Sequence, residues 1–226
     1  MDAVAKKFAG INQPLAGFLG YEPYQSPEHI VARYVPTKQV SGVVKPFLDK
    51  NGISTLKEEP MSELGNKLIN AGATGKALAI FKLNLKAYPE SANAMANYGY
   101  ANLCEGNRVV AEKYFNKSLA INPSNGGIKR ILDGLQAADR SKGKTKLTLS
   151  GYPKARLVTL AGNFNNWNNV QTFYTKRNGK WECYLDAQPG AYEYKIIVDG
   201  KWILDPKNPK TIKNAEGNTN SILVIR

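Results

Sequence analysis

Small and apolar positions between residues 61 and 123 recur at spacings of three and four, the period of a helix face. The whole set then returns 34 positions further on: Met61 matches Met95, Leu64 matches Tyr98, Gly65 matches Gly99, Ala77 matches Ala111, Phe81 matches Phe115 and Pro89 matches Pro123. Glycine and alanine let two helices approach closely, a phenylalanine fills the gap between them, and a proline ends the second helix because it cannot continue the backbone ladder. Ile128, Ile131, Leu132 and Leu135 extend the pattern as one more amphipathic helix. Before the repeat, Val43, Val44, Phe47 and Leu48 make a short helical face limited by Pro46. Beyond Lys144 the period falls to two. Thr145 to Ser150, Arg156 to Ala161, Trp181 to Leu185, Tyr192 to Val198, Trp202 to Leu204 and Ser221 to Ile225 are short strand-like runs. Asn178-Gly179, Pro189-Gly190, Asp199-Gly200 and Asp205-Pro206 punctuate them, and Asp199-Gly200 reads as a two-residue hairpin turn.

These patterns predict a multidomain α and β chain. The period of 34 residues, with its small–x3–Phe run and closing proline, is that of tetratricopeptide helical hairpins. Two such repeats with capping helices are expected over 40–140. Residues 141–144 read as a linker, and 145–226 as an immunoglobulin-like (E-set) β-sandwich. Residues 1–39 differ: a helix near 2–10 precedes a stretch in which Pro14, Pro23, Pro27 and Pro36 alternate with Tyr21, Tyr24 and Tyr34, which argues against a long regular element.

Composition narrows the function classes. At 42% hydrophobic and 22% charged residues the chain is not of the disordered type. No apolar run reaches the roughly 18–20 residues of a membrane span, and the first residues lack the apolar core of a secretory signal. A soluble protein is expected, of undetermined compartment. Lys plus Arg number 31 against 18 Asp plus Glu, a net charge of +13, and most of the excess lies in residues 142–226. Such a balance suits an acidic protein partner. Nucleic acid fits less well, since the basic residues are scattered and no nucleic-acid module is recognisable. The single histidine, His29, lies in the proline-rich stretch, and Ser54-Thr55-Leu56-Lys57 stands without the companion motifs of a Ser-x-x-Lys enzyme. Cys104 and Cys183 are too far apart for a metal spacing. We expect no catalytic residue, no metal site and no cofactor.

One stretch carries a family resemblance. Leu160-Ala161-Gly162-Asn163-Phe164-Asn165-Asn166-Trp167-Asn168 resembles the opening of the family-48 carbohydrate-binding module, the type found as the glycogen-binding domain of the AMP-activated protein kinase β subunit. Pro189 through Trp202 resembles its later hairpin. Asp205 to Pro209 and Gly217 to Ser221 follow in the family's order. The resemblance implies an α-glucan site lined by Trp167, Lys195, Trp202 and Asn220. Two aromatic platforms would stack on sugar faces, while the lysine and the amide would bond hydroxyls. Two positions depart from the pattern: Glu216 replaces an apolar residue before the Gly-x-x-Asn run, and Asn218 replaces a hydroxyl residue. Weak binding is therefore expected. The repeats also resemble the tails of certain bacterial serine hydrolases.

The leading expectation is a non-catalytic two-module protein, with α-glucan held by the β module and a protein held by the helices. The helical surface is expected at Asn66, Asn70, Tyr100 and Asn102, beside Lys67. One alternative is a basic scaffold or linker subunit that uses both modules for docking. Another is an accessory tail of a hydrolase, which would be periplasmic or secreted.

Overall fold

The computed structural model describes residues 57–141 and 143–226. The expectations for residues 1–39, the helical face at 43–48, His29 and Ser54 lie outside these residues. Among these residues five helices come first: α1 (Glu58–Asn70), α2 (Thr74–Ala87), α3 (Ala92–Cys104), α4 (Arg108–Ile121) and α5 (Gly126–Asp139). Helices α1 and α2 pair as one antiparallel hairpin, and α3 and α4 as the next. The repeated residues explain the pairing. A Cβ on Gly65 would sit 2.3 Å from the Phe81 ring, and one on Gly99 would sit 2.9 Å from the Phe115 ring. Both phenylalanines are fully buried, as are Ala77 and Ala111. Ser91 caps α3 by accepting from the backbone N–H of Ala94 at 3.1 Å, and Asn125 caps α5 by accepting from Ile128 at 3.2 Å. Ile128, Ile131 and Leu135 turn inward from α5 and close the helical core. Among the described residues, no helix is long and apolar enough to cross a membrane.

Nine strands follow: β1 (Thr145–Leu149), β2 (Val158–Gly162), β3 (Thr172–Phe173), β4 (Thr175–Arg177), β5 (Lys180–Leu185), β6 (Gly190–Val198), β7 (Lys201–Ile203), β8 (Thr211–Lys213) and β9 (Thr219–Ile225). They form two antiparallel sheets, β1-β5-β4 and β3-β2-β6-β9-β8, with β7 paired to β6. Two hairpin turns use residues in the left-handed region, Asn178 with Gly179 and Asp199 with Gly200. The core between the sheets holds Leu149, Leu160, Trp181, Cys183, Tyr194 and Ile196. In β6 the even positions Tyr194, Ile196 and Val198 face this core, so Glu193, Lys195 and Ile197 face outward.

The two modules share buried surface. Phe173 of β3 belongs to the helical core with Phe115, Leu135 and Ala138, and Leu157 and Val170 pack against the same cluster. Gly134 of α5 runs so close to the β module that a Cβ there would lie 2.1 Å from the Gln171 carbonyl oxygen. Arg156 bridges to Glu105 at 2.8 Å, and Arg177 donates to the Asp139 carbonyl at 3.0 Å. At the junction, a Cβ on Gly143 would lie 2.6 Å from the Leu185 backbone, so the connecting segment lies against β5.

Candidate functional site

The outer face of β6 carries the site. Antiparallel pairing sets Tyr194 opposite Ser221 and Glu193 opposite Ile222, which brings Lys195 and Asn220 side by side on that face. Ile197 pairs with Trp202, so the indole stands on the same face at the end of the β6–β7 hairpin. Trp167 reaches the face from the loop after β2. Lys195, Trp202, Asn220 and Trp167 thus line one open cleft of about 460 Å³, closed on its far side by Asn214, Glu216 and Asn218 of the β8–β9 loop. The two indole rings lie 6.4 Å apart between centroids, and their planes are inclined by 37°. Trp202 is 42% exposed, an unusual state for a tryptophan without a partner surface.

The loop that presents Trp167 is held by a buried neighbour. Asn165 accepts from the Gly162 backbone N–H at 3.0 Å. Its Nδ2 lies 3.0 Å from the Leu160 carbonyl, 3.1 Å from the Asn168 carbonyl and 3.2 Å from the Thr172 hydroxyl. Three acceptors therefore share two hydrogens. Asn166 and Trp167 both take left-handed backbone conformations, at φ 53° and 58°. That is tolerable for asparagine and costly for tryptophan. The Trp167 N–H closes the turn onto the Gly162 carbonyl at 2.8 Å. Strain of this kind persists where its surroundings over-determine it.

The floor of the cleft is fixed from behind. The Tyr194 hydroxyl donates to Asp205 Oδ2 at 2.8 Å inside the core, and Asn208 Nδ2 lies 3.1 Å from that hydroxyl and 2.7 Å from the Ile222 carbonyl. Asp205 also accepts from the Lys207 N–H, and its own N–H donates to the Ser221 hydroxyl. The Asp205-Pro206-Lys207-Asn208 run therefore clamps β6 to β9 and sets the Lys195–Asn220 spacing. Burial pushes the Tyr194 phenol well above its ordinary range, so it stays a donor. Asn220, 2% exposed, gives one amide N–H to Glu193 Oε2 at 2.8 Å, which fixes the direction of its side chain. Glu193, Asn165, Asp205 and Asn208 were not singled out from sequence as site residues. Their signal is their place within the motif runs, but their work is hydrogen bonding to backbone and to neighbouring side chains, which no residue type announces.

The helical residues separate into two groups. Asn66, Lys67 and Asn70 are exposed on α1. Asn102 corrects the expectation of an exposed position. It is 3% exposed, donates to the Tyr98 carbonyl at 2.8 Å and accepts from Asn107 Nδ2 at 3.3 Å, so it closes the α3–α4 turn. Tyr100 is half-buried and packed against the helical core, and burial raises its phenol far above the usual value. It faces the β module rather than open solvent. Among the described residues, no group of three or more His, Cys, Asp or Glu could hold a metal ion.

The β module that carries the cleft is similar to known proteins. Residues 145–226 match the sequence profile of the glycogen recognition site of AMP-activated protein kinase. The chain is 28% identical over 93 residues to 5'-AMP-activated protein kinase subunit beta-1 of Sus scrofa, covering 41% of this chain and 74% of that protein. It is 38% identical over 68 residues to Protein PTST homolog 2, chloroplastic, of Arabidopsis thaliana, covering 30% of this chain and 12% of that protein. It is 27% identical over 154 residues to Protein PTST, chloroplastic, of Arabidopsis thaliana, covering 66% of this chain and 52% of that protein. The last match is longer than the β module and therefore reaches into the helices. The chain spans less than two thirds of the length of both Arabidopsis relatives. The β module, residues 145–226, is thus similar in sequence to the glycogen recognition site of AMP-activated protein kinase, and its two antiparallel sheets are of the immunoglobulin-like kind.

Proposed function

We propose that this chain binds an α-glucan, glycogen or starch, in the cleft of Trp167, Lys195, Trp202 and Asn220, without catalysis. The observation that supports this most is the pair of indoles inclined by 37° across one cleft, Trp202 exposed and Trp167 half-buried. Sugar rings offer apolar C–H faces with hydroxyls at the rim, which calls for aromatic platforms flanked by donors and acceptors. Two inclined platforms follow a chain that curves, as an α-1,4 glucan does, better than a flat ribbon. The Lys195 ammonium donates to one hydroxyl, and the Asn220 amide, oriented by Glu193, serves another. Glu216 puts a carboxylate where an apolar contact would strengthen the grip, so affinity is modest. The test is affinity electrophoresis of the full chain in glycogen or soluble starch. Retardation is expected, and Trp167→Ala or Trp202→Ala should each remove about 1–3 kcal/mol, by analogy with base stacking on aromatic side chains. An unretarded wild-type chain at high glycogen concentration defeats the proposal.

The helical hairpins, read as tetratricopeptide units, hold a protein in the same proposal. Asn66, Lys67 and Asn70 stand exposed on α1 for this, and the basic chain favours an acidic partner whose recovery falls as salt rises.

A further inference from the structure

A second cavity, of about 250 Å³, lies where the helices meet the β module. Its walls come from both: Asn70 at the end of α1 and Tyr100 of α3 on one side, Asn169, Val170, Ile197 and Trp202 on the other. Trp202 belongs to this cavity and to the cleft alike. The register explains why. Ile197 is set beside Trp202 on β7 and Thr159 on β2, and Lys195 stands two residues back on the same face of β6. Cleft and cavity are therefore neighbours on one strand, roughly 7 Å apart at the strand's rise per residue.

We propose that the cavity continues the α-glucan site, so that a glucan chain crosses Trp202 and is held by helices and β module together. The inference rests on the glucan reading of the cleft. The chemistry of the walls supports it. Val170, Ile197 and the Tyr100 ring offer an apolar floor for the faces of sugar rings. The side-chain amides of Asn70 and Asn169 have no hydrogen-bond partner among the described residues, and a neutral amide both donates and accepts, as adjacent sugar hydroxyls require. Asp199, also on the rim, already accepts from the backbone N–H groups of Arg156 and Leu157, each at 2.9 Å. These bonds hold one carboxylate oxygen, Oδ1, and the other remains an acceptor on the rim. Trp202 is exposed on the boundary, where one ring can contact sugars on both sides. The helical module then does more than carry a separate partner surface: it lengthens the run of glucose units that the protein recognises.

The experiment is calorimetric titration of the full chain with maltotriose and with maltoheptaose, for wild type, Trp167→Ala and the double variant Asn70→Ala/Asn169→Ala. Wild type should prefer the heptaose. The double variant should lose about tenfold in heptaose affinity, the worth of two hydrogen bonds, while maltotriose binding and thermal midpoint stay as in wild type. Should the double variant lose stability, Asn70→Ala alone, at an exposed helix end, gives the same readout at a smaller amplitude. Unchanged heptaose affinity in a folded variant overturns the extended site, and so does equal affinity of wild type for the two sugars. If Trp167→Ala still weakens both sugars in that case, the cleft remains a glucan site. If wild type binds neither sugar, the cleft and its extension fall together.

Discussion

Asn165→Ala tests whether a buried amide holds the half-buried platform of Trp167. The side chain is 6% exposed and serves one backbone donor and three acceptors within 3.2 Å. Removing it leaves the Gly162 N–H and the Leu160 carbonyl, both buried, without these partners. At about 1 kcal/mol per net hydrogen bond, with a further cost for an unsatisfied buried group, the fold should lose about 2–4 kcal/mol. The site should lose more than stability. Asn166 and Trp167 keep left-handed backbones that cost about 1–3 kcal/mol at a non-glycine residue, and without Asn165 the loop relaxes out of them. Glucan binding must then re-form the strained turn, so affinity for maltoheptaose should fall by about tenfold or more in the molecules that remain folded. Chemical denaturation gives the first quantity, and titration well below the transition gives the second. Asn165→Asp separates the parts, because it keeps the acceptor for Gly162 and loses the donor. Wild-type glucan affinity in a destabilised Asn165→Ala chain would refute the link between this amide and the Trp167 platform.

Three further outcomes follow from packing and burial. Gly65→Ala should destabilise the helical module by about 1–3 kcal/mol in thermal denaturation, since its Cβ would meet the Phe81 ring at 2.3 Å; Gly99→Ala, at 2.9 Å from Phe115, should cost less. Burial pushes the Cys104 thiol up to about 11 and the Cys183 thiol up to about 12, so neither should be alkylated at pH 8 in the native chain, and both should react in denaturant. The same shifts make stability fall on the alkaline side. The contribution is complete below the ordinary thiol value of 9.0 and is lost as pH rises from there through 11 to 12, because the unfolded chain ionises first; a thermal midpoint at pH 10.5 equal to that at pH 8 contradicts it.

Features whose cause is local or periodic are legible in the order of residues. Gly65 with Phe81 and Gly99 with Phe115 place two hairpins at an offset of 34, because a ring can enter only where a side chain is missing. The long strands β1, β2, β5, β6 and β9 show as β-rich runs, β1 with clear alternation, and Asp199-Gly200 supplies the left-handed turn that only such residues adopt cheaply. The four cleft residues were legible through their motif runs, not through any period. Strands β3, β4 and β8, of two or three residues each, were not legible, while β7, as short, was marked by its place in the hairpin run. Other features depended on tertiary structure alone. Phe173, Leu157 and Val170 are apolar residues of the β module, yet they serve the helical core; their neighbours are distant in sequence, so no local pattern records the choice. Asn102 reads as a polar helix residue and turns out to be the closure of a turn, because its hydrogen bonds lie within the packed hairpin. The cavity beside Trp202 exists only where two modules meet, and its walls are drawn from five separate stretches of chain, none of which carries it alone.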